Sequence, residues 1–204
     1  MDDIFNSVGQ SASRSRCLFA IASSIGCFFV IIVIGGVTSP HSSLFWRYLG
    51  VAGFAIASAV LVAIVPGINT FKKPTTKLIG ITVFTVLCIV CIGWYVPPGH
   101  GFIDELKSHD SVHRVVFILI VCVIAPVIEE IYFRGLLFPI TSLHLGTRVG
   151  ALLSAVLFIL GHLSLGILFA AAIYTLLVYR YRSIFPSVFA HIAYNTVMVI
   201  HVIV

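Results

Sequence analysis

Seven stretches of this chain are each long and apolar enough to be read as a membrane crossing, and no other feature limits its fold as strongly. A membrane-spanning helix needs about 20 mostly apolar residues. The candidates run near 17–37, 45–65, 78–96, 113–137, 149–164, 165–181 and 184–204. Of its 204 residues, 60% are hydrophobic and 9% charged, whereas a soluble domain is about half apolar and about a quarter charged. The sequence therefore predicts an all-α fold, a polytopic transmembrane helical bundle of about seven spans. The length suits one domain, here 17–204, preceded by a polar tail over residues 1–16. There is no internal repeat and no low-complexity tract.

Charge placement predicts the topology. With the N-terminus inside, one side receives Arg14, Arg16, Lys72, Lys73, Lys77, Arg134, Arg148, Arg180 and Arg182, and the other only Arg47, Lys107 and Arg114. That bias puts the N-terminus in the cytoplasm and the C-terminus outside. Trp46 and Trp94 fall near the outer ends of their spans, as interface anchors do. The first apolar run follows Arg14 and Arg16, but it is long for a signal peptide and lacks a small-x-small cleavage site, so it reads as a retained anchor. The longest outer loop is expected over Pro97–Val112, and His162 to Gly166 reads as a tight hairpin. The net charge of +5 is not gathered into a basic arm, so the partner implied is membrane lipid and not nucleic acid. The five cysteines all lie in apolar runs. Cys88-x-x-Cys91 has a redox spacing without the βα setting, so neither a disulfide nor a cysteine metal site is expected.

Against this background the stretch V-I-E-E-I-Y-F-R-G, Val127 to Gly135, stands out. It sets two adjacent carboxylates at the end of an uncharged run. Each charge near the bilayer centre costs ~2.5–3.5 kcal/mol on insertion scales, so something must offset the pair. Glu130 and Arg134 are four residues apart and share a helix face, where they can pair. Glu129 is turned by about 100° and points elsewhere, where it can serve proton transfer. Pro126, one turn upstream, removes a backbone hydrogen bond and can open the helix beside the site. Taken alone, this cluster also fits a structural ion pair.

Two later helices carry polar turns of their own. Phe158 and His162 are one turn apart in F-I-L-G-H, and His191 and Asn195 one turn apart in H-I-A-Y-N. Ser187 extends the second stripe by a further turn. Gly146, Gly150 and Ser154 precede Phe158 at the same spacing, and small residues let helices approach closely. Gly146-x-x-x-Gly150 suits packing inside the bundle or a dimer face, and the sequence leaves the oligomeric state undetermined. Without water, each polar group needs a partner, and the economical arrangement is that they face one another around a small wet cavity.

In order along the chain, E-E-I-Y-F-R (Glu129 to Arg134), F-I-L-G-H (Phe158 to His162) and H-I-A-Y-N (His191 to Asn195) resemble the CPBP family of intramembrane proteases. That family includes the type II CAAX prenyl endopeptidases and the bacterial Abi proteins linked to bacteriocin processing and self-immunity. Its pattern is EExxxR, FxxxH and HxxxN on separate transmembrane helices, and the similar core here covers about 113–200. The resemblance implies an intramembrane endopeptidase acting on a membrane-associated polypeptide. Glu129 would be the general base that activates water, and His162 would position or polarise that water. His191 and Asn195 would form the oxyanion hole, with Glu130, Arg134 and Phe158 in support. The resemblance favours a metal-free glutamate mechanism with no cofactor. Zinc is the alternative, because Glu129, His162 and His191 are of ligand type, although H-E-x-x-H is absent. The small chain looks bacterial, which implies the inner (plasma) membrane. The other reading is a non-catalytic immunity or scaffold protein that binds a peptide.

Overall fold

A computed structural model describes residues 75–95, 100–162 and 167–204, together with positions 19, 21–23, 26, 52, 53 and 55–59. The tail 1–16, most of the expected spans 17–37 and 45–65, Trp46, Cys17, Cys27, the basic residues Arg14, Arg16, Arg47, Lys72 and Lys73, and the 163–166 part of the expected hairpin lie outside the described residues. Every described element from residue 76 onward is helical: α1 (Thr76–Tyr95), α2 (His100–Ser108), α3 (Ser111–Leu119), α4 (Ala125–Glu130), α5 (Phe138–Leu145), α6 (Thr147–His162), α7 (Leu168–Tyr181) and α8 (Phe185–Ile203). Among the described residues there is no strand, in keeping with the all-α expectation.

Two described helices are long and apolar enough to cross a membrane, the continuous stretch Ser111–Leu145 and Phe185–Ile203; Thr76–Ile92 and Thr147–Leu160 are shorter apolar helices. The described residues thus account for fewer than the expected seven spans. Two local expectations are corrected. The Pro97–Val112 loop contains α2, and its end is set by Asp110, whose carboxylate accepts the backbone N–H of Val112 and of His113, both at 3.0 Å, to cap α3. The His113 N–H, followed by the His113 ring 2.6 Å away, holds the Asp110 carboxyl below its usual range. Gly146 is not in α6. It closes α5 with φ of 86°, a conformation that suits a residue without Cβ.

The stretch Ser111–Leu145 is interrupted by two wide turns, Ile120–Ile124 and Ile131–Leu137. In the first, the Ala125 N–H bonds to Ile120 O, and in the second the Phe138 N–H bonds to Phe133 O, five residues back in each case. Each ends two residues before a proline, Pro126 or Pro139. A proline ring clashes with the carbonyl four residues earlier and offers no N–H, and an extra residue in the preceding turn relieves both problems. Pro126 therefore opens the helix as its position suggests, and Pro139 does the same without having been singled out.

The chain divides into two compact units. The first comprises Met1–Lys72 and Ile128–Ile184. Its core joins Tyr132, Phe133, Leu136, Leu137 and Ile140 to Leu157 and Phe158 of α6 and Ala171 of α7. On α6 the buried positions Gly150, Ser154, Leu157 and Phe158 form one stripe, while Val149, Leu152, Val156 and Leu160 are exposed. An outward face of aliphatic side chains is costly in water and suits lipid. The small-residue stripe has the packing role expected of two of its members. Ser154 Oγ donates to Phe133 O at 3.0 Å, and a Cβ on Gly150 would meet Ser142 N at 2.7 Å and Cα at 2.9 Å. Gly150→Ala should therefore destabilise the protein by about 1–3 kcal/mol, measured as a lowered unfolding midpoint in detergent. Unchanged stability would mean that α5 and α6 can separate at no cost.

The second unit comprises Lys73–Val127 and Phe185–Val204, with α1 and α8 packed along each other. Trp94 stands exposed in the last turn of α1, its ring 4.9 Å from that of His201 near the end of α8.

Candidate active site

The first unit assembles five of the expected site residues. Glu130 and Arg134 pair as their spacing predicts, with Arg134 Nη1 donating to Glu130 Oε1 at 2.8 Å and both side chains fully buried. Arg134 was expected among the charges flanking the membrane, and its burial removes it from that set. What holds it is aromatic. Its guanidinium carbon lies 4.0 Å from the Phe158 ring centroid, 5.5 Å from that of Tyr174 and 5.7 Å from that of Phe133. Arg134 Nη2 also reaches Ala171 O at 3.4 Å. A guanidinium is weakly hydrated and stacks on rings, so it tolerates such a pocket better than an ammonium would.

Phe158 links that pocket to the second motif. Its ring packs edge-on against Phe133 at 5.2 Å and against Tyr174 at 6.5 Å, and lies 4.4 Å from the His162 ring. The four-residue spacing of Phe158 and His162 thus places a histidine directly over a ring that also touches the buried arginine. Tyr174 and Ala171 of α7 were missed by the sequence reading, because the 165–181 run carries no motif. The one signal available was the small Ala170, Ala171 and Ala172 set beside a tyrosine in an apolar helix.

Glu129 points away from Glu130, as the rotation between adjacent helical residues requires. Its Oε2 lies 3.5 Å from His162 Nε2, and both groups are partly accessible, 14% for Glu129 and 27% for His162. The other ring nitrogen, Nδ1, is 2.8 Å from Phe158 O. A backbone carbonyl only accepts, so Nδ1 carries the hydrogen. In the neutral ring Nε2 is then an acceptor, and it faces a carboxylate oxygen that is also an acceptor. Such a pair calls for a proton between them or a donor that serves both.

The second unit holds the third motif. Ser187 and His191 are buried on α8, and Asn195 is half-buried one turn further on. Asn195 Nδ2 donates to Val121 O at 2.8 Å.

Residues 111–197 match the family model for the type II CAAX prenyl endopeptidase Rce1-like proteins. This segment is similar to the Rce1-like proteins. The match begins with the first residue of α3 and takes in all three motifs, and it names the same family of proteases that the motifs resemble. The Rce1-like proteins are membrane-embedded CAAX-type proteases, which agrees with the two apolar helices long enough to span. No curated protein and no solved structure matches the chain.

Proposed function

We propose that the chain is an intramembrane endopeptidase that hydrolyses a peptide bond in a membrane-associated peptide or protein, using a water activated by Glu129. The observation that carries this reading is the pairing of two acceptors, Glu129 Oε2 and His162 Nε2, 3.5 Å apart, with the far side of the His162 ring fixed on Phe158 O. A water donating one hydrogen to each would be oriented with its oxygen lone pairs outward, toward a substrate carbonyl. Glu129 then takes the proton as the oxygen attacks, and His162 holds the remaining O–H in line. The attack places negative charge on the substrate oxygen. His191 and Asn195 are assigned to receive it, on the strength of the H-x-x-x-N motif and the family match. The protonated Glu129 can afterwards give its proton to the leaving amine. Glu130, Arg134 and Phe158 hold the geometry.

The reading is metal-free, since this scheme asks only for a base, an orienting group and oxyanion donors. Lys77, Arg148, Arg180 and Arg182, with the basic residues of the N-terminal part, support a cytoplasmic N-terminus and an external C-terminus in a bacterial plasma membrane.

The test is cleavage of a library of internally quenched peptides by the purified protein in detergent, with and without a chelator, beside His162→Ala. Wild type should cut, the chelator should change nothing, and His162→Ala should lose about 100-fold or more in kcat. Loss of cleavage with the chelator would replace this mechanism by the zinc alternative. A folded wild-type protein that cuts no peptide would remove the protease reading and leave a peptide-binding or immunity role.

A further inference from the structure

The second unit contains a hydrogen bond whose origin can be traced to one residue of the sequence. In a regular α-helix the Val121 carbonyl would accept the N–H of Ala125. Here that N–H bonds to Ile120 O instead, because the turn is wide. The wide register would offer Val121 O the N–H of residue 126, and residue 126 is a proline, which has none. Val121 and Pro126 are both buried, so the carbonyl needs another donor in a setting without water. Asn195 Nδ2 supplies it at 2.8 Å.

This contact also fixes which way round the Asn195 amide sits. A carbonyl cannot accept from Oδ1, so the nitrogen must face Val121. One N–H of the NH2 group is used by Val121 O, and the plane of the amide is set by that bond. The second N–H projects at about 120° to the first, in the same plane.

We propose that Pro126 is a positioning residue. By leaving the Val121 carbonyl without a backbone donor, it creates the anchor that orients Asn195 and directs the second Asn195 N–H. The role of that second N–H in holding the substrate oxyanion rests on the function proposed above; the anchoring itself does not. Pro126→Ala restores a backbone N–H that can reach Val121 O, and so competes with Asn195 for its anchor. Catalysis depends steeply on the aim of an oxyanion donor, so a released amide should lower kcat by at least about tenfold with little change in KM.

The experiment is a double-variant cycle in detergent on the full chain: wild type, Pro126→Ala, Asn195→Ala and the double variant, each measured for thermal midpoint and for peptide cleavage. Asn195→Ala should lower the midpoint of the wild type, and should lower it much less in the Pro126→Ala background, where Val121 O has its own donor. Strictly additive midpoints would overturn the anchoring, whatever the cleavage data show. Coupled midpoints with an unchanged kcat in an active Pro126→Ala protein would overturn the positioning role. Coupled midpoints in a wild type that cuts nothing would support the anchor and discard only the protease reading on which the second N–H depends. If Pro126→Ala does not fold, an isotope-labelled Val121 carbonyl reads the same bond by infrared spectroscopy. Its stretch should move to higher frequency in Asn195→Ala, and an unmoved band would overturn the proposal.

Discussion

Glu129→Gln should abolish peptide cleavage and leave the fold intact. Glutamine matches glutamate in size and keeps one oxygen while replacing the other by an NH2 donor at the same reach, but it cannot take a proton from water. General-base contributions are typically ~100 to 10,000-fold, and in the proposed mechanism the base also orients the nucleophile, so the upper end is expected. The fold should survive because the new NH2 can donate to His162 Nε2, the acceptor that the Phe158 contact leaves facing it. Cleavage assays beside a thermal melt separate the two effects. A Glu129→Gln protein that cuts at the wild-type rate would mean that another group activates the water. One that fails to fold would mean that Glu129 is structural.

Arg134→Leu should have the largest effect on stability, a loss of about 3–5 kcal/mol. Arg134 and Glu130 are both fully buried, and the substitution leaves the Glu130 carboxylate without its guanidinium in the same apolar pocket. It also empties the space between Phe158, Tyr174 and Phe133 of its cation. Arg134→Lys is not a mild change, because an ammonium neither spans the rings nor donates in a plane. The double variant Glu130→Gln with Arg134→Leu should recover much of the loss, since no charge then remains uncompensated. Unfolding in detergent measures all three proteins. An Arg134→Leu protein as stable as the wild type would show that the pair contributes little to stability.

How much of this was visible in the sequence depends on the range of the interaction. The Glu130–Arg134 pair, the separate direction of Glu129 and the one-turn spacing of Phe158 and His162 are each local to one helix. Helical spacing alone predicts which side chains share a face, and these three readings agree with the structure. The ends of α1, α6, α7 and α8 fall within a few residues of their apolar runs, because hydrophobic length sets them. What escaped was tertiary. Tyr174 and Ala171 reach Arg134 across the fold from a helix without a motif, and no periodicity in residues 165–181 marks them. The wide turn before Pro139 is not legible for a different reason: a proline inside an apolar run is compatible with a kink, a helix end or a widened turn, and the sequence alone does not choose between them. The capping role of Gly146 follows from a positive φ that a small-xxx-small pattern does not distinguish from helix interior. Helix α2 is not legible in the sequence because it is short and polar, with few apolar residues to signal a face.

The length of α6 has a consequence for the lipid itself. Its described residues, Thr147–His162, rise about 24 Å, against about 30 Å for a typical hydrocarbon core, and His162 stands at their far end. A helix that crosses a bilayer over this length alone meets a hydrophobic mismatch, relieved by thinning the membrane around it or by leaving one of its ends below the headgroups. A thin membrane would bring the His162 end level with the polar boundary, and a thick one would submerge it. If Glu129 activates water as proposed, acyl-chain length would govern how readily water and an extended peptide reach it, and the thickness of the surrounding lipid would act as a setting on cleavage.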